Sequence, residues 1–141
     1  MKPVIKNILA AFAGIFFGSL VNMGIIYAGM SLIPLPDGIN VSDPESLKAG
    51  MHLMETRHFI LPFLAHALGT FAGAALAAKL AAIHKNRFAF LIGVYFLIMG
   101  IINMKMIGSP LNFNIVDGLL AYLPMGWLAG KLFGREKISE I

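Results

Sequence analysis

Long uncharged stretches divide the chain into four parts. Stretches of 30, 21 and 17 residues without Lys, Arg, Asp or Glu occupy positions 7–36, 58–78 and 88–104, and a fourth, at 106–130, contains the single acid Asp117. A helix rises about 1.5 Å per residue, so about 20 apolar residues cross the hydrocarbon core of a bilayer. The pattern predicts an all-α fold, a polytopic membrane protein built as a bundle of four transmembrane helices. We place the spans at residues 8–33, 59–82, 88–104 and 115–133, in a single transmembrane domain covering residues 1–141.

One long connection, at residues 34–58, separates the first two predicted spans. It opens with residues 34–38, which include two prolines and a glycine and therefore end a helix. Ser42 is then followed three residues later by Glu45, with a proline between them, which is a typical helix start. We therefore predict a short interfacial helix at residues 46–54 in this first outer loop.

The composition supports a bilayer as the surrounding solvent. Hydrophobic residues make up 58% of the chain and charged residues 13%, and the mean hydropathy is +0.80. These values exclude a soluble enzyme built around one core, and they make nucleic acid an unsuitable partner in spite of the net charge of +4. The chain contains no cysteine, which excludes thiol nucleophiles and Cys-ligated zinc.

The basic residues predict the orientation of the spans. Eight of the eleven Lys and Arg residues fall on the side of the two termini: Lys2, Lys6, Lys79, Lys85, Arg87, Lys131, Arg135 and Lys137. The other three, Lys48, Arg57 and Lys105, fall on the opposite side. Because positive charge is retained in the cytoplasm, both termini are predicted to be cytoplasmic. We expect a multi-pass protein of the cell membrane, such as the cytoplasmic membrane of a bacterium.

Pairs of glycines four residues apart predict close helix packing. Small residues at this spacing let two membrane helices approach each other. Three predicted spans carry such a pair: Gly14/Gly18, Gly69/Gly73 and Gly126/Gly130. Either Gly126/Gly130 or Gly14/Gly18 could form the seam of a homodimer.

Polar residues inside the spans gather in the outer half of the predicted bundle. At about 100° per residue, His66 lies on the same stripe as Gly69 and Gly73, so it faces another helix. His66 precedes Lys79 by 13 residues and Asp117 precedes Lys131 by 14, so both lie about 20 Å above their lysines. We predict that His66 and Asp117 come within hydrogen-bonding reach.

The same outer half contains three further polar candidates. Asn22 lies on the ridge of Gly14 and Gly18, Asn103 is at a similar depth, and Tyr122 can reach the interior. We interpret Asn22, His66, Asn103, Asp117 and Tyr122 as a polar pocket. A buried ionisable residue is by default a functional candidate. The alternative is structural, with His66 joining two helices and Asp117 placed favourably near a helix start.

A second constellation precedes the second predicted span. If residues 52–58 are helical, His52, Glu55 and His58 share an arc of about 120°, on which they could bind one divalent metal. His66 could complete such a site. The alternative is that these side chains are ordinary interfacial polar residues, with Glu55 paired to Arg57 or Lys48.

These observations leave three classes of function open. The favoured class is a binding or transport protein with a polar pocket that accepts a proton or a small solute. An accessory subunit, whose polar residues only fix helix register, is the second. The third is a membrane metalloenzyme that acts on a lipid or quinone at the outer interface. Because ionisable residues are sparse, we rank catalysis below binding.

Overall fold

The computed structural model describes residues 2–135, which form helices and connecting turns with no strand. Six α-helices follow one another along the chain: α1 (Pro3–Gly29), α2 (Pro44–Gly50), α3 (Ile60–Leu80), α4 (Lys85–Ile107), α5 (Leu111–Leu120) and α6 (Leu123–Phe133). Two 3-10 turns, Met51–Leu53 and Thr56–Phe59, connect α2 to α3. The predicted all-helical architecture is therefore confirmed.

Three helical segments are long and apolar enough to cross a membrane. They are Pro3–Gly29, Thr56–Leu80 and Lys85–Ile107, with hydropathies of 2.0, 1.7 and 2.0. Each begins or ends within a few residues of the span that the uncharged stretches predict. Helices α1, α3 and α4 thus supply three segments of transmembrane length.

The fourth predicted segment is not one continuous helix. Residues 115–133 belong to α5 and α6, which are separated at Ala121 and Tyr122. Pro124 lies at the start of α6, where a proline is tolerated because the first N–H groups of a helix have no partner within the helix. In the interior of a helix a proline would remove a hydrogen bond and break the helix. Tyr122 leaves regular helical geometry, with φ −119° and ψ −75°. The predicted span at residues 115–133 is therefore divided between two helices.

The predicted loop helix is also shorter than expected. Helix α2 ends at Gly50, and the residue that caps its start is Asp43, whose Oδ1 accepts a hydrogen bond from the Glu45 N–H at 3.0 Å. Ser42 instead forms a hydrogen bond with the Tyr27 hydroxyl. That bond attaches the loop to the end of α1.

Helix α3 lies at the centre of the fold, where it contacts α1, α4 and α6. Its contact with α1 is antiparallel, and Gly14 and Gly18 face Gly73 and Gly69 respectively. A Cβ atom on Gly14 would lie 2.6 Å from the Gly73 carbonyl oxygen, and one on Gly18 would lie 2.6 Å from that of Gly69. The backbones of α1 and α3 are therefore in direct contact.

A similar antiparallel contact joins α4 and α6. A Cβ atom on Gly126 would lie 3.1 Å from the Ala89 carbonyl oxygen and 3.1 Å from the Gly93 Cα. Gly130 also faces Ala89, and it is buried. Within this chain the Gly126/Gly130 face therefore packs against α4 and the Gly14/Gly18 face against α3. A homodimer through either pair stays a prediction.

The antiparallel packing collects the basic residues at one end. The Asn7 side chain accepts a hydrogen bond from Ala82 N–H at 2.7 Å, so the start of α1 meets the end of α3. Lys79 Nζ lies 4.5 Å from the centroid of the Phe133 ring, which brings the end of α6 to the same place. We call this the basic end; it carries Lys2, Lys6, Lys79, Lys85, Arg87, Lys131 and Arg135. Lys137, also assigned to this side, lies outside the described residues.

Candidate functional site

His66, Asp117 and Tyr122 form a hydrogen-bonded cluster among α3, α5 and the start of α6. His66 Nδ1 lies 3.0 Å from Asp117 Oδ1 and 2.9 Å from Oδ2. The Tyr122 hydroxyl donates to Asp117 Oδ2 at 2.7 Å and lies 3.0 Å from His66 Nδ1. The contact predicted from the equal depth of His66 and Asp117 is therefore present.

The break between α5 and α6 positions Tyr122 in this cluster. Tyr122 follows Asp117 by five residues, and the turn at Ala121 directs its ring back toward α5. Gly100 on α4 leaves room for the phenol, because a Cβ atom there would overlap the Tyr122 hydroxyl. The ring packs against His66 with 5.8 Å between centroids. Sequence reasoning included Tyr122 but gave it no partner.

Burial explains why Asp117 needs both partners. Its side chain is 0% exposed, and a carboxylate without donors in such a place is costly. The Tyr122 hydroxyl supplies one hydrogen, and a proton on His66 Nδ1 supplies the other. Nε2 is then the ring nitrogen that remains available to a further hydrogen-bond partner. Within residues 2–135 this Nε2 has no hydrogen-bond partner.

A cavity of about 310 Å³ lies beside the cluster, between α1, α3 and α4. We call it the His66 pocket. Its polar lining consists of Ser19, Asn22, His66, Thr70, Tyr95, Asn103 and Tyr122. Asp117 does not line the cavity, but both of its hydrogen-bond partners, His66 and Tyr122, do. Four of the five residues in the predicted polar pocket thus line one cavity.

Two buried oxygen atoms at this cavity have no hydrogen-bond partner in the described part of the chain. They are Oδ1 of Asn22 and Oγ1 of Thr70. Thr70 is 1% exposed, so water in the surroundings does not compensate it. Buried polar atoms ordinarily have a hydrogen-bond partner. Two such atoms without a partner beside a cavity indicate a site for a polar ligand.

Sequence reasoning missed Thr70. It lies four residues after His66, one turn along the same face of α3, and this spacing could have revealed it. Threonine is common in membrane helices, where its hydroxyl usually bonds to its own backbone. The unpaired hydroxyl is visible only in three dimensions.

The structure does not bring the predicted metal ligands together. His52 belongs to the 3-10 turn Met51–Leu53, Glu55 is extended, and His58 lies in the next 3-10 turn. His58 Nδ1 accepts a hydrogen bond from Glu55 N–H at 2.8 Å, and the Glu55 carboxylate pairs with Arg57 at 3.1 Å. Residues 2–135 contain no group of three His, Asp or Glu side chains suited to a metal. The predicted helical arc is wrong because the chain is not α-helical there.

Comparisons with protein families, with curated proteins and with solved structures give no match for this chain.

Proposed function

We propose that this chain is a small integral membrane protein that binds a small polar solute in the His66 pocket. The observation that carries the proposal is that two unpaired buried oxygen atoms, of Asn22 and Thr70, lie at one cavity that His66 also lines. In this proposal α1, α3 and α4 cross the bilayer, and α5 and α6 together form the fourth crossing of a four-helix bundle.

The outward surface of the helices supports membrane insertion. Large apolar side chains are exposed along them, including Phe12 and Phe16 at 67% each and Trp127 at 57%. In water such a surface would be unstable, whereas lipid solvates it. The seven described basic residues at the basic end favour placing that end, and both termini, in the cytoplasm. The His66 pocket then lies in the outer half.

The lining atoms indicate the chemistry of the solute. With a neutral imidazole, His66 Nε2 accepts hydrogen bonds, as Asn22 Oδ1 does, and the Thr70 hydroxyl can accept or donate. The Asp117 carboxylate adds negative charge behind the imidazole. A solute that carries hydrogen-bond donors on a positive group, such as a primary ammonium, complements this set. The chain then acts by binding or transport.

The alternative of a membrane metalloenzyme has less support. Its predicted ligands are His52, Glu55 and His58, which do not converge in the structure. The buried cluster supplies hydrogen bonds to Asp117, and it accounts for the position of His66 without a metal.

The absence of cysteine from the chain makes the pocket directly testable. Single-cysteine variants at Ser19, Ala74, Ser42 and Lys85 would be reacted in oriented vesicles with 2-aminoethyl methanethiosulfonate and with its anionic 2-sulfonatoethyl analogue, added from outside. Ser19 lines the His66 pocket and is only half-buried, so we expect Ser19→Cys to react, with a preference for the cationic reagent about tenfold greater than that of Ser42→Cys in the exposed loop. Ala74→Cys, on α3 and 0% exposed, should not react.

The same experiment tests the orientation. Ser42→Cys should react from outside, and Lys85→Cys should react only after the vesicles are opened. Labelling of both from the same side would contradict the four-crossing arrangement. An unreactive Ser19→Cys would contradict an accessible pocket, and equal reaction with the two reagents would contradict a cationic solute.

A further inference from the structure

A second cavity, separate from the His66 pocket, opens at the basic end between the start of α4 and the end of α6. It is a groove of about 720 Å³. Its walls combine two basic side chains with three large apolar ones, and they include Arg87, Phe90, Leu91, Trp127 and Lys131. We call it the basic groove.

The charges of the basic groove have no acidic partner in the described chain. The five acids of residues 2–135 lie in the 37–55 loop region or at Asp117, away from the basic end. In this part of the chain Glu55 pairs with Arg57, and Asp117 is hydrogen-bonded to His66 and Tyr122. Arg87 is exposed, and Lys131 Nζ lies 4.9 Å from the centroid of the Trp127 ring. Among residues 2–135, the two cations of the groove therefore have no acidic partner.

The apolar part of the groove continues from these charges along the helices. Phe90 is 42% exposed, Leu91 54% and Trp127 57%. On α4, Phe90 and Leu91 lie about one turn from Arg87, and on α6 Trp127 lies one turn from Lys131, in each case toward the middle of the bundle. A ligand that fills the groove therefore needs an anionic group at one end and a hydrocarbon chain at the other.

We propose that the basic groove binds an anionic phospholipid, with the head group between Arg87 and Lys131 and one acyl chain along Phe90, Leu91 and Trp127. Free phosphate would leave the apolar walls uncovered, and a zwitterionic lipid would leave the charges unbalanced. Basic pockets between membrane helices on the cytoplasmic side are suited to such head groups. The inference depends on the membrane insertion proposed above and is independent of the His66 pocket.

Trp127 is the only tryptophan in the chain and lines the groove, so its fluorescence reports on the occupant. The intact protein would be reconstituted in phosphatidylcholine bilayers containing phosphatidylglycerol, with bromine on one lipid or the other near the head-group end of an acyl chain. We expect brominated phosphatidylglycerol to quench Trp127 at about fivefold lower mole fraction than brominated phosphatidylcholine does, and we expect Arg87→Gln or Lys131→Gln to remove most of that preference.

Lys6→Gln is the matched control. Lys6 is exposed at the same end of the molecule, and its replacement removes the same charge without altering the groove. We expect this variant to keep the full preference for phosphatidylglycerol. Equal quenching by the two lipids, or an equal loss of preference in Lys6→Gln and Lys131→Gln, would overturn the proposal. Absence of quenching by either lipid would instead contradict the membrane insertion itself.

Discussion

The His66→Ala variant is expected to have a free energy of unfolding about 3 to 5 kcal/mol lower than that of the unmodified protein. The replacement removes the partner of Asp117 Oδ1, and it leaves a carboxylate with 0% exposure bonded only to Tyr122. An uncompensated charge in such a place costs far more than the loss of a surface contact. Titration of the purified protein from mild detergent into SDS, followed by circular dichroism, would measure the difference.

Two further variants separate this effect from the loss of a side chain. His52→Ala makes the same substitution at an exposed position and is expected to change the free energy by less than about 0.5 kcal/mol. Asp117→Asn, introduced into the His66→Ala background, removes the stranded charge and should restore about 1 to 2 kcal/mol. If the double variant is no more stable than His66→Ala, the buried charge is not the cause.

The Gly73→Ala variant is expected to be the next most damaging, with a loss of about 3 kcal/mol measured by the same SDS titration. Its new Cβ atom would lie 2.5 Å from the Gly14 carbonyl oxygen and 3.2 Å from the Gly18 Cα. These are backbone atoms, which cannot turn aside as a flexible side chain can. Helices α1 and α3 would have to separate, and overpacking of this kind commonly costs about 1 to 3 kcal/mol even where side chains can adjust.

Gly24→Ala provides the comparison on α1. A Cβ atom at Gly24 meets nothing within 4 Å, so this variant is expected to be as stable as the unmodified protein or slightly more so. Equal losses in the two variants would mean that alanine itself, rather than the α1/α3 contact, lowers stability.

Sequence patterns could predict those parts of the fold that depend on periodicity and length. The uncharged stretches predicted the helical segments, since a run of about 20 apolar residues has few other stable forms. The contact of His66 with Asp117 followed from two independent measures, the glycine stripe around His66 and the equal distance of both residues from their lysines. Both measures depend only on helix geometry.

The features that the sequence could not predict depend on local backbone conformation and on tertiary packing. Pro124 is compatible with a kinked helix and with the start of a new one, and tertiary packing around Tyr122 decides between them. The cap of α2 falls on Asp43 because Ser42 is bonded to Tyr27, a residue 15 positions away. Thr70 is a candidate because its hydroxyl lies unpaired at a cavity lined by α1, α3 and α4. The spacing of residues along the sequence does not predict such a cavity.

The break at Ala121 has a consequence for biogenesis. Helices α5 and α6 contain 10 and 11 residues, so each extends only about 15 to 17 Å, roughly half the hydrocarbon thickness of a bilayer. Neither can be released into lipid as a complete crossing in the way that α1, α3 and α4 can. If the chain is inserted segment by segment, this last part must enter against surfaces already assembled, where Asp117 meets His66 and Gly126 meets Gly93. Under that condition, residues 111–133 are expected to fold after α1, α3 and α4.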